Sequence, residues 1–231
     1  MPHIVSAFDD DLIAIQARIT EMGGLAEDLL GKALDAVEKH DKALAEHVIE
    51  TDKKLDALEL EVEEMAMRVI ALRQPMAQDL RVLISALKIC TTLERIGDLA
   101  KNISKRAMTF SKTGPVKVTS SIVRMGRATL AQLGEVLNAY SARDTDAAVA
   151  VWRKDVDIDE MYNALFREVV TYMMEDSRMI GMGSQMLFIA KNLERIGDHT
   201  THISEMIYYI VEGEPLGDDR PKGEPLGLDA E

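Results

Sequence analysis

Apolar residues recur at spacings of three and four along almost the whole chain. Between residues 42 and 73 the series Leu55, Leu58, Val62, Met65, Val69 and Leu72 keeps that spacing, and Ile158, Met161, Leu165 and Tyr172 continue it further on. Such a stripe is the seam of a helix packed against antiparallel neighbours, not the two-residue alternation of a strand. Breaks at His40-Asp41, Pro75, Thr113-Gly114-Pro115, Ser141-Ala142-Arg143-Asp144 and Gly181-Met182-Gly183 divide the pattern, because Gly, Pro and Asp interrupt helices. Six helices are predicted, at about residues 6–39, 42–73, 76–111, 117–140, 144–175 and 179–211.

Leu93-Glu94-Arg95-Ile96-Gly97-Asp98 recurs unchanged as Leu193-Glu194-Arg195-Ile196-Gly197-Asp198, and Leu87/Leu187, Ile89/Ile189, Ile103/Ile203 and Ser104/Ser204 extend the identity. Self-similarity at a fixed period marks two copies of one unit. The predicted fold is therefore all-α, two tandem pseudo-symmetric three-helix bundles, with the first over 1–113 and the second over 114–212. Beyond, Gly-Glu-Pro-Leu-Gly occurs at 213–217 and again at 223–227 among acidic residues. Repeated Pro and Gly without periodicity predict a disordered acidic tail over 213–231.

Composition agrees with helix: aromatics are 4% of 231 residues, against 14 methionines and abundant Ala, Leu, Glu and Lys. The single cysteine, Cys90, leaves no disulfide framework and no thiolate zinc site, so a buried structural thiol is expected. Residues 1–11 lack the basic flank and apolar core of a signal peptide, and no stretch is long enough to span a bilayer, which predicts a cytoplasmic protein. A formal net charge of −13 repels phosphate backbones. Direct nucleic-acid binding is disfavoured, and a protein or cation partner is preferred. Trp152 and the methionines Met173, Met174, Met179, Met182 and Met186 read first as packing residues, the methionines also as an adaptable docking patch.

The candidate chemistry lies in the acids. Glu94 and Asp98 are four apart and share one side of a helix, as do Asp52 and Asp56 upstream, Glu194 and Asp198, and Asp155 and Asp159. Asp52 and Asp98 each stand 23 residues from Pro75, so an antiparallel hairpin about that turn brings 52 to 98 and 56 to 94. The second half repeats the mirror spacing about Asp176-Ser177, joining 155 to 198 and 159 to 194. Four facing carboxylates repel one another, and some cation must offset them. It is either protein-borne, with Lys53, Lys54, Arg95, Arg153, Lys154, Lys191 and Arg195 nearby in sequence, or a bound hard metal ion suited to oxygen ligands. Along the third helix Leu80, Ile84, Leu87, Thr91, Glu94 and Asp98 form one line that turns from apolar to acidic; in the sixth, His202 extends the line of Glu194 and Asp198 as an additional candidate ligand.

Arg73-Gln74-Pro75, Asp79-Leu80-Arg81, Leu93 to Asp98 and Gly197-Asp198-His199 together resemble the PhoU family of bacterial phosphate-signalling regulators, over about residues 6–212. The second half departs from this pattern, with Ile180-Gly181 near the place of Asp79-Leu80-Arg81. The resemblance implies a multinuclear metal cluster at Asp52, Asp56, Glu94 and Asp98 and another at Asp155, Asp159, Glu194 and Asp198, iron foremost, with manganese, magnesium, calcium or zinc as alternatives. It further implies a non-enzymatic, cytoplasmic negative regulator of phosphate uptake and of the phosphate regulon. Its partners would be the phosphate ABC transporter ATPase and the phosphate-sensing histidine kinase; it would form a homodimer and meet the membrane only through partners. The competing class is a metal-dependent helical-bundle enzyme of oxygen or phosphoester chemistry, although no histidine stands three residues after a glutamate, as ferritin-like sites require.

Overall fold

A computed structural model describes residues 2–110 and 118–217. Among the described residues there are six α-helices, α1 (Pro2–Lys39), α2 (Lys42–Arg73), α3 (Gln78–Phe110), α4 (Thr119–Ala142), α5 (Thr145–Glu175) and α6 (Ile180–Glu212), with a 3₁₀ turn at Ser177–Met179 before the last. Among the described residues there is no strand. The boundary expected at 113/114, the Thr113-Gly114-Pro115 turn and most of the predicted tail, from 218 onward, lie outside the described residues.

The turns have local causes. His40 and Arg143 take left-handed backbones, and each is followed by an aspartate that caps the next helix: Leu44 N–H donates to Asp41 at 3.0 Å and Ala147 N–H to Asp144 at 2.9 Å. The backbone bonds Asp41 N–H to Ala36 O and Asp144 N–H to Ala139 O close both turns in the same way, a six-residue loop back onto the helix end. At Pro75 the turn is wider than the sequence suggests, because Gln74 and Ala77 are both left-handed, so α3 starts at Gln78. Gly181 and Gly183 do not form the last break. Asp176 makes it, accepting from Arg178 N–H at 2.9 Å, while Gly183 lies inside α6, where a Cβ would strike Met173 of α5.

Helices α1–α3 pack together, as do α4–α6, and the two groups meet back to back: α3 runs against α6 and α1 against α4. Both contacts are antiparallel. Arg81 lies over the Tyr209 ring at 5.7 Å, near one end, and Arg106 lies over Phe188 at 4.2 Å and donates to Gln185 at 2.7 Å, near the other. On the opposite face Arg127 of α4 pairs with Asp35 and Glu38 of α1. One continuous apolar core crosses both contacts, from Ile19, Leu30 and Leu34 through Leu93 and Ile96 to Leu193 and Ile196. The stripe predicted for α2 is buried at Leu55, Val62 and Val69 but ends in solvent, where Leu72 is 70% exposed beside exposed Met76, Leu80 and Ile84 near the α2–α3 turn. Trp152 is buried and its indole N–H donates to Glu205, the packing role expected; Cys90 is buried beside Met22, its thiol pushed up to about 12, chiefly by burial.

Candidate functional site

Antiparallel packing of α3 on α6 lays the two copies of the repeated hexapeptide side by side at the centre of the molecule. Each residue of the hexapeptide then has a distinct environment. Leu93, Ile96, Leu193 and Ile196 are fully buried and fill the shared core. Gly97 and Gly197 face the preceding helix: a Cβ at 97 would collide with Leu55 and lie 3.1 Å from Asp52 Oδ1, and a Cβ at 197 would lie 3.2 Å from Asp155 Oδ1. The glycines therefore admit a buried aspartate from α2 and from α5. Asp52 and Asp155 are each only 1% exposed.

The hairpins bring together the acids that the mirror spacing pairs. In the first bundle Asp52, Asp56, Glu59 and Asp98 all act electrostatically on Glu94. Burial first, then Asp98, Glu59, Asp56 and Asp52, pushes the Glu94 carboxyl up to about 7. In the second bundle burial is again the main cause raising Glu194, with Asp198 and Asp159 adding to it and Lys191 opposing it. Asp155 joins this group through its place against Gly197. His202, the additional candidate, turns to Glu205, its Nδ1 3.4 Å from Oε2.

Two lysines answer the question of a protein-borne cation, differently in each half. In the first, Lys101 Nζ donates to Asp52 Oδ2 at 2.5 Å and also to Asp98, linking α2 to α3. Burial pulls its pKa down, but the bonds to Asp52 and Asp98 outweigh burial and raise it. In the second, Lys191 pairs with Glu194 at 2.7 Å and lies over the Tyr162 ring at 5.3 Å. Of the neighbours named from sequence, Lys154 pairs instead with Glu135 at 2.7 Å.

Fit to a metal ion is uneven. Oxygen donors are abundant, and two buried carboxylate oxygens, Asp52 Oδ1 and Glu194 Oε2, have no hydrogen-bond partner. Such atoms suit a cation, since an unsatisfied buried acceptor is costly. Yet among the described residues no three acid, histidine or cysteine side chains converge closely enough to share one ion. The first set is drawn onto an ammonium across two helices, the second holds Lys191 on Glu194, and each keeps one unpartnered buried oxygen.

Sequence reasoning missed three participants. Lys101 lies three residues past Asp98 on the same side of α3, a spacing that could have flagged it. Glu59 is raised, mainly by burial, beside Asp56 and Glu63. His199 needs the fold to be recognised: burial first, then Arg95 of one copy and Arg195 of the other, lowers its imidazole to about 4.

Glu94 carries a direct test. Its folded pKa lies above its unfolded value, so its ionisation weakens the fold as pH rises from about 4.5 through 7. Glu94→Gln is expected to stabilise the protein at pH 8 by about 1 kcal/mol, allowing for solvent screening of a partly exposed group, and to leave it unchanged at pH 4. Urea unfolding at the two pH values checks both.

Comparison with known proteins bears on the same residues. A family model described as the PhoU domain matches twice, over residues 19–107 and 122–207. The chain is 47% identical over 221 residues to the phosphate-specific transport system accessory protein PhoU homolog of Caulobacter vibrioides (strain NA1000 / CB15N), covering 95% of this chain and 96% of that protein. It is 39% identical over 212 residues to the phosphate-specific transport system accessory protein PhoU of Escherichia coli (strain K12), covering 92% and 88%. The crystal structure of PhoU from Pseudomonas aeruginosa superposes with a TM-score of 0.87 at 35% identity, covering 90% of this chain and 100% of that one. With two domain matches and this identity over nearly its full length, the chain belongs to the PhoU family.

Proposed function

We propose that this chain is an accessory protein of a phosphate-specific transport system. In this reading it is a cytoplasmic negative regulator of phosphate uptake and of the phosphate regulon, coupling the transporter ATPase to the phosphate-sensing histidine kinase, and it works as a homodimer. The observation that carries the reading is the match, over almost the entire length of both proteins, to relatives named as accessory proteins of that system. In the described residues no helix is long and apolar enough to cross a membrane, so contact with a transporter would pass through protein surfaces.

The acid clusters are the parts of that surface with unusual chemistry. We assign metal binding, iron foremost, to Asp155, Asp159, Glu194 and Asp198, supported by the unpartnered buried oxygen of Glu194 and the all-oxygen donor set. Bound there, a cation would neutralise the carboxylates and hold α5 to α6. The chain's own residues do the rest of the positioning: Gly197 admits Asp155, and Trp152 ties α5 to α6 through Glu205.

One observation favours the enzyme reading, since a carboxyl near pKa 7 such as Glu94 suits general acid–base work at neutral pH. Turnover of a phosphoester by metal-loaded protein would support it. For the regulatory reading, protein purified without chelator should retain metal on elemental analysis and capture the transporter ATPase and the kinase in a pull-down. Failure to capture either would contradict it.

A further inference from the structure

We propose that Lys101 is the resident cation of the first acid cluster, a tethered ammonium that occupies the gap between Asp52 and Asp98 and closes it to metal, so that the two clusters are not equivalent ion sites.

Three observations converge on this. Lys101 spans two helices, with Nζ 2.5 Å from Asp52 Oδ2 on α2 and also bonded to Asp98 on α3. Asp52 is the most buried partner available, its side chain 2% exposed against 47% for Asp98. Its other oxygen, Oδ1, is buried without a hydrogen bond and faces the space left open by Gly97. Asp52 is thus half satisfied: one oxygen holds the ammonium and the other lies against Gly97 without a hydrogen bond. A hard divalent ion sits about 2.0–2.6 Å from its oxygens, so an ion on the Asp52 and Asp98 oxygens would overlap the ammonium. Two cations cannot share that gap.

The second copy has no lysine at this position. The equivalent of Lys101 is Thr201, which is buried and donates along its own helix to the carbonyl of Asp198 at 2.7 Å. The lysine of that cluster, Lys191, lies earlier on α6, is 48% exposed, and pairs with Glu194 within its own helix. Its contact with α5 is the Tyr162 ring at 5.3 Å, and it is more exposed than Lys101. Lys101 is 21% exposed and held by two carboxylates, one of them buried, so an incoming ion must displace a bridging ammonium.

The proposal rests on the reading of these acids as cation ligands, and Mn²⁺ alone serves as the probe. Binding to the full-length chain is followed by the loss of free-ion EPR signal, with circular dichroism confirming folding. Lys101→Met and Lys101→Thr, the latter matching the second copy, are expected to bind one more Mn²⁺ per chain than the wild type, or the same ion about tenfold more tightly. Lys101→Met/Asp52→Asn should lose that gain. Mn²⁺ should also raise the melting temperature of Lys101→Met more than that of the wild type. If wild type binds no Mn²⁺ and Lys101→Met gains a site, the plug stands and metal binding by the native protein falls. If both folded Lys101 variants bind Mn²⁺ with the number and affinity of the wild type, the plug is overturned, whatever the native protein holds.

Discussion

Replacing Gly97 by valine is expected to cost the fold about 3 kcal/mol, lowering the melting temperature by about 10 °C, because overpacking a rigid core is expensive. Even the first added carbon would run into Leu55, which is fully buried, and would press Asp52 Oδ1 from 3.1 Å. Both neighbours are buried, so either must shift within the core. Moving Asp52 would also pull it from Lys101. The alanine pair makes the argument sharper. In an open helix Gly→Ala gains about 1 kcal/mol, yet Gly97→Ala should lose stability, while Gly197→Ala, whose nearest contacts are 3.2 Å to Asp155 and 3.3 Å to Ile158, should lose less. Urea unfolding ranks all three. A Gly97→Ala protein more stable than the wild type would show that the two helices are not in tight contact at the repeated motif.

The second large effect concerns acid. His199 is held at about 4 in the folded chain by burial and by the arginines of both motif copies, against an ordinary value of 6.5. A lowered histidine pKa means the fold favours the neutral imidazole. Its stabilising contribution is therefore complete above about 6.5 and is lost as pH falls towards 4. Discounted for residual solvent screening, that loss is about 2 kcal/mol. Glu94 acts in the opposite direction over the same range, since its protonation on acidification relieves the first cluster. His199→Asn should therefore flatten the fall in stability between pH 7 and pH 4.5 by about 2 kcal/mol. Thermal unfolding across that range checks it, and an unchanged acid slope would mean that His199 is not held neutral between the arginines.

How far these features could be read from the chain depends on how local their causes are. The helices were legible because their seams and the capping aspartates Asp41 and Asp144 are written in consecutive residues. The facing of α2 on α3 and of α5 on α6 was legible too, since a short turn forces antiparallel neighbours and the acids keep equal distances from it. The contacts between bundles were not. That Arg127 meets Asp35, or that Arg95 and Arg195 converge on His199, depends on which face of one bundle covers the other, and no local periodicity encodes that. Lys101 falls between the cases. Its spacing from Asp98 was visible, but its role requires the burial of Asp52, which follows from Gly97 and not from charge pattern.

The inequality of the halves matters for regulation. In the first cluster Lys101 ties Asp52 to Asp98 across two helices, whereas in the second Lys191 pairs with Glu194 along one helix. On the proposed plug, the second half carries the variable element and the first the fixed one. The most direct measurement is a phosphate-repressed reporter in cells whose sole copy of the protein carries paired acid substitutions. Asp155→Asn/Glu194→Gln is expected to lose repression at high phosphate while the protein stays folded and abundant, and Asp56→Asn/Glu94→Gln, which spares the Lys101 bridge, to keep most of it. Full repression by the Asp155→Asn/Glu194→Gln protein would contradict the claim that the acids beside the second motif carry its function.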